Sequence, residues 1–82
     1  MIKVLFFAKL RESLGCGSLE WPVQEALSLK DLRDQIIARH PEWEADLCAQ
    51  NVIAAVNQAV AAPHEVVQPG DEVAFYPPVT GG

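Results

Sequence analysis

Ile2-Lys3-Val4-Leu5-Phe6-Phe7-Ala8 opens the chain with β-branched, aliphatic and aromatic residues. Such side chains fit a pleated surface, so the run reads as a strand. Successive strand residues point to opposite faces. Ile2, Val4 and Phe6 make a uniformly apolar face that belongs against a core, whereas Lys3, Leu5 and Phe7 belong outside. A second run of the same character, Glu72-Val73-Ala74-Phe75-Tyr76, lies near the other end of the sequence. It sets Val73 and Phe75 on one face and Glu72, Ala74 and Tyr76 on the other. These two densest apolar runs belong at the centre of a sheet. If they pair in parallel, whatever follows Tyr76 leaves the sheet near the end of the first strand.

The segments between them supply the other elements. Residues 9–14 read as a short helix stopped by Gly15 and Gly17, and residues 18–23 as a strand with Leu19, Trp21 and Val23 on one side. Ser28 is a good N-cap with Asp31 three positions on. Leu29, Leu32, Ile36 and Ile37 then recur at helical spacing, opposite Lys30, Asp31, Arg33 and Asp34. This main helix ends near His40, because Pro41 disfavours helix at the residue before it. Residues 42–49 form a second short helix with Trp43 and Leu47 as its buried pair. Residues 52–56 read as a third strand, Asn57-Gln58 as a tight turn into residues 59–61, and Pro69-Gly70-Asp71 as a turn into the last strand. The plan is α+β: a mixed sheet of about five strands with one main helix packed across it. It divides into a domain over residues 1–76 and an extended tail over residues 77–82.

Composition narrows the function. The 82 residues make one domain, and the 50% that are hydrophobic can build a modest core without staples. A net charge of −5, with the six basic residues scattered, counts against nucleic acid, whose phosphates require clustered Lys and Arg. An acidic surface suits a basic protein partner. Cys16 and Cys48 form no CxxC pair and have no His at ligand spacing, so no metal site is expected. No apolar run approaches the ~18 residues of a membrane span, and no leader pattern stands at the start, so the chain reads as cytoplasmic.

The chemistry is expected in Pro77-Pro78-Val79-Thr80-Gly81-Gly82. Two prolines cannot extend a hydrogen-bonded ladder and favour an extended spacer. Six extended residues reach roughly 20 Å. Glycines without Cβ can thread a narrow channel. A terminal carboxylate is a poor electrophile, but activated as an acyl-adenylate it can accept sulfur and become a nucleophilic thiocarboxylate. Gly-Gly by itself is equally the signature of a frayed end. The aromatic-Pro-Pro spacer before it points to a presented group.

Three segments carry a resemblance: Val4-Leu5-Phe6-Phe7-Ala8-Lys9-Leu10-Arg11-Glu12, Ala55-Val56-Asn57-Gln58, and the run from Gly70 through Tyr76-Pro77-Pro78-Val79-Thr80-Gly81-Gly82. Together they resemble the small subunit of molybdopterin synthase, the MoaD-type sulfur carriers with a ubiquitin-like β-grasp fold. The resemblance implies that a ubiquitin-activating-enzyme-like adenylyltransferase uses Mg-ATP to adenylate Gly82, with no cofactor held permanently. A sulfur donor protein then loads a thiocarboxylate. The tail, Gly81 included, enters the large subunit of a heterotetramer with two copies of each chain, where cyclic pyranopterin monophosphate receives sulfur to form the molybdopterin dithiolene. It also implies a docking patch on Phe7, Val60 and Tyr76 with Arg11 as basic neighbour, alongside the tail residues Pro77, Pro78, Val79 and Thr80. Tyr76 stands where the family is expected to carry Phe.

Other residues have plainer readings. Cys16 reads as a spectator thiol and Cys48 as a small core residue. His40 and His64 read as solvated, Trp21 and Trp43 as partly buried, and Asn57 as a turn former. No catalytic triad, carboxylate pair or phosphate loop is present, so the chain alone is not expected to catalyse. Three alternatives remain open: a carrier for thiazole or another thiolated product, a ubiquitin-like modifier joined to lysines, and an interaction module whose tail does no chemistry.

Overall fold

The computed structural model describes residues 1–49 and 51–77. Its elements are β1 (Ile2–Phe6), α1 (Ala8–Leu14), β2 (Ser18–Trp21), β3 (Leu27–Ser28), α2 (Leu29–Arg39), a 3-10 turn (Pro41–Trp43), α3 (Glu44–Leu47), β4 (Ile53–Val56), β5 (Ala59–Ala61), β6 (Val66–Val67) and β7 (Glu72–Tyr76). Five strands form one mixed sheet in the order β2-β1-β7-β4-β5. β1 and β7 pair in parallel, with Lys3 opposite Glu72 and Phe6 opposite Phe75; the other neighbours are antiparallel. This is the β-grasp arrangement, with α2 across one face.

The core follows the alternation in β1 and β7. Ile2, Val4, Phe6, Val73 and Phe75 are buried and meet Leu29, Leu32 and Ile36 of α2. Phe6 lies between Phe75, stacked at 5.9 Å, and the edge of Trp43 at 5.5 Å. Such aromatic pairs add about 0.5–1.5 kcal/mol beyond the area they bury. Trp21 and Trp43 are both core residues, and Trp21 Nε1 donates to Gln35 Oε1 at 3.1 Å, which satisfies the one polar atom its burial would strand.

Local chemistry sets the ends of the helices. Ser28 Oγ accepts from Asp31 N at 3.0 Å, and the N–H groups of Leu29 and Lys30 are taken by the Glu65 and Pro63 carbonyls. These bonds satisfy donors that a helix start leaves orphaned. α1 ends at Gly15, left-handed at φ 67°, with the Gly15 and Cys16 N–H groups returning to Arg11 O. At its other end Ala8 takes φ 54°, a conformation a Cβ disfavours. That kink ends β1 at Phe6, two residues short of the expected strand.

Other departures have equally local causes. The second strand stops at Trp21 because Pro22 follows it and cannot donate to a ladder. A two-stranded sheet, β3 with β6, was not expected; each strand has only two residues, too few to show alternation. The second helix begins as a 3-10 turn at Pro41. Trp43 and Leu47 are its buried pair, as expected. Cys48, expected in the core, is exposed, because the next helical position rotates away from the face those two residues define. His40 is half-buried and stacked on Trp43 at 4.0 Å, so it is only partly solvated.

Candidate functional site

The sheet face opposite α2 carries Leu5 and Lys3 from β1, Glu72, Ala74 and Tyr76 from β7, Ile53 and Ala55 from β4, and Val60 from β5, as the strand registers require. Its two ends differ in chemistry. Where β1 and β7 begin, Lys3 stands in register between Glu20 and Glu72. Where they end, the face is apolar. Of the six large hydrophobics exposed among the described residues, four lie on this apolar part: Phe7, Ile53, Val60 and Tyr76. A concentration of that kind is a candidate contact surface, whereas single exposed apolar residues are not.

Phe7 follows β1 directly, and its N–H donates to Phe75 O at 3.2 Å. The parallel register therefore carries its ring beside that of Tyr76. The rings stack 4.8 Å apart at 6° and stay 38% and 37% exposed. Arg11 lies one helical turn on, with its N–H bonded to Phe7 O at 3.3 Å. Its guanidinium packs so closely over Gly17 that a Cβ there would come within 2.9 Å of Nε. Arg11 is thus held over Gly17, one helical turn from Phe7 in the chain. Val60 shares the face but sits on the edge strand, opposite Ala55, and is 77% exposed.

Ile53 was missed in the sequence. It lies directly opposite Tyr76 and is 37% exposed, so it extends the aromatic pair towards Val60. The signal was available, since Ile53 and Ala55 alternate with Ala54 and Val56, but no residue in that strand is polar to mark the outer face. Pro77 follows Tyr76 and is half-buried. Pro78, Val79, Thr80, Gly81 and Gly82 lie outside the described residues.

Asn57 does more than form a turn. It and Gln58 adopt φ 51° and 72°, the positive pair of a type I′ hairpin. Its side chain accepts from Glu72 N at 3.0 Å and donates to Asp71 Oδ1 at 3.1 Å, and Asp71 Oδ2 accepts from Gln68 N at 2.8 Å. The β4–β5 turn is thereby tied to the first residue of β7, the strand that delivers Tyr76. Among the described residues no cluster of His, Cys, Asp and Glu is arranged to hold a metal, and no helix is long and apolar enough to cross a membrane.

Compared with known proteins, residues 4–82 match the model of the ThiS family. The chain belongs to the ThiS family. A curated relative, the molybdopterin synthase sulfur carrier subunit of Escherichia coli (strain K12), is 43% identical over 86 aligned positions covering 100% of each chain. Among solved structures, SAMP1 from Haloferax volcanii is similar at a TM-score of 0.85 and 28% identity, covering 99% of this chain and 98% of that one. A second crystal structure, of H. volcanii small archaeal modifier protein 1, gives a TM-score of 0.81 at 27% identity over 95% of this chain and 97% of that one. These likenesses support the ubiquitin-like β-grasp reading of the ThiS-family chain described here.

Proposed function

We propose that this chain is the sulfur carrier subunit of a molybdopterin synthase, with the Gly82 carboxylate as its working group. The observation that carries the reading is the end-to-end alignment with the E. coli sulfur carrier subunit, which spans both chains in full. The fold agrees with it. The parallel β1–β7 pairing sets the apolar patch of Phe7, Tyr76 and Ile53 at the point where the chain leaves the sheet towards Gly82.

In this reading an adenylyltransferase holding Mg-ATP docks on that patch. A Gly82 carboxylate oxygen attacks the α-phosphorus, pyrophosphate leaves, and the carbonyl carbon becomes electrophilic. A persulfide on a donor protein displaces AMP to give an acyl disulfide, and a thiol then attacks the donor's sulfur, forming a disulfide with it and releasing the thiocarboxylate. The large synthase subunit then covers the same patch, and the tail delivers sulfur to cyclic pyranopterin monophosphate in that subunit's pocket. Two such deliveries complete the dithiolene, in a heterotetramer of two small and two large subunits in the cytoplasm. The residues of this chain do not break the bonds. Phe7, Tyr76, Ile53 and Val60 give the partner apolar area, Arg11 gives it a charge, and Pro77 to Gly82 supply reach.

Intact-mass measurement after incubation with the activating enzyme, ATP and a sulfur donor tests the reading. An oxygen-to-sulfur mass gain on the C-terminal peptide is expected, followed by its loss on adding the large subunit and pterin precursor. A thiocarboxylate that the large subunit leaves untouched assigns the chain to another sulfur pathway. The likeness to the archaeal modifier protein favours a second reading, conjugation of Gly82 to lysines. An isopeptide-linked product in the same experiment would establish it.

A further inference from the structure

A cavity of about 200 Å³ opens between α2 and the β4–β5 edge of the sheet. Leu29, Leu47, Ala54 and Phe75 give it an apolar lining, and Lys30 and Arg33 of α2 add charge. The two cations are not equivalent. Lys30 donates to Asp34 Oδ2 at 2.9 Å, a bond that raises its pKa and keeps it charged and occupied. Arg33 forms no ion pair among the described residues, and its Nε is shielded from solvent with no acceptor. An N–H left in that state is unfavourable and lies out of a partner's reach, but the terminal guanidinium nitrogens are not so shielded, and their natural complement is a carboxylate taken by paired hydrogen bonds.

Size and position narrow the occupant. Pockets for cofactors and other small molecules usually run from about 300 to 1,000 Å³. This one is smaller and suits one or two side chains. It is also continuous with the outer-face patch, because Ile53 and Val60 belong to that patch and line the cavity as well. Only β5, a three-residue edge strand, separates the two surfaces.

We propose that this groove is the second half of the docking surface. It receives an extended segment of the protein that covers the outer face, with an apolar side chain of that segment in the cavity and an adjacent Asp or Glu carboxylate on Arg33. The inference rests on the sulfur-carrier reading, which makes that protein the large subunit of the synthase.

Titration calorimetry of the full-length chain with its large subunit, at low and high salt, tests it. Arg33→Met keeps the aliphatic stem and removes the guanidinium. It is expected to weaken binding by at least about tenfold, the scale of a lost interfacial ion pair, and to flatten the salt dependence. Its melting temperature should hold or rise, since the orphaned donor is gone. Arg33→Lys keeps the charge without the paired geometry and is expected to fall between, and it serves if the Met variant folds poorly. Phe7→Ala is the control. If Phe7→Ala weakens binding while both Arg33 variants bind like the parent, the groove inference is overturned and the carrier reading stands. If the parent chain does not bind the large subunit at all, both fall. If the free chain dimerises in sedimentation and Arg33→Met abolishes the dimer, the occupant is a second copy, and the inference as stated is refuted.

Discussion

Removing the Phe7 ring separates what the aromatic pair does for the fold from what it would do for a partner. In the free chain Phe7 is 38% exposed and makes one clear aromatic contact, the 4.8 Å stack on Tyr76. An aromatic pair contributes about 0.5–1.5 kcal/mol. With its ring partly in water, Phe7→Ala should cost about 1 kcal/mol, which for a domain of this size lowers Tm by about 4–8 °C. At an interface the same ring would be desolvated at the centre of an apolar patch, where truncating an aromatic anchor costs about 2 kcal/mol or more. That corresponds to an affinity loss of about thirtyfold. Calorimetric titration against the large subunit and a thermal melt on the same variant measure the two quantities. The reasoning is refuted if affinity changes less than threefold, or if the melt shows a stability loss as large as the binding loss.

Three further outcomes follow from particular residues. Asn57→Ala removes both side-chain bonds to the start of β7 and raises the cost of a positive φ, so denaturant unfolding should report about 1–3 kcal/mol of destabilisation; Asn57→Gly should recover only the backbone share. Ala8→Gly relieves the φ of 54° and should leave stability unchanged or raise it by about 1 kcal/mol, measured in the same way; a clear loss would show that the Ala8 methyl packs where no strain is stored. Deleting Gly82, or adding a residue after it, should abolish sulfur transfer in a single-turnover assay while Tm stays that of the parent, because the core is built from residues between Ile2 and Phe75.

Much of this architecture was legible because burial and alternation coincide. In β1 and β7 every second residue is a large apolar one, and a single chain pattern fixes strand, face and central position together. The main helix announced itself through Ser28, Asp31 and the spacing of Leu29, Leu32 and Ile36. Alternation failed where elements are short or carry no polar contrast. β3 and β6 have two residues each, and β4 reads Ile-Ala-Ala-Val, which hid the outward-facing Ile53. Cys48 was misplaced because a neighbour's burial says nothing about a position a hundred degrees further round a helix. Strand parity placed Phe7 and Tyr76 on the outer face, where the structure stacks their rings, and Arg11 follows one helical turn after Phe7 in the chain. Val60 stands apart from them across β4. The Arg33 groove could not be read at all, since it depends on which helix residues face the β5 edge.

The strand at the middle of the sheet, β7, is also the last in chain order among the described strands. Until it is in place, Val4 and Phe6 on one side and Ala54 and Val56 on the other have no common neighbour, and the domain depends on contacts between residues far apart in the chain. A nascent or truncated chain that stops before Tyr76 would lack part of its central strand and half of its aromatic pair. Completion of the sheet and completion of the outer-face patch are therefore one event, since Tyr76, the last residue of β7, belongs to both.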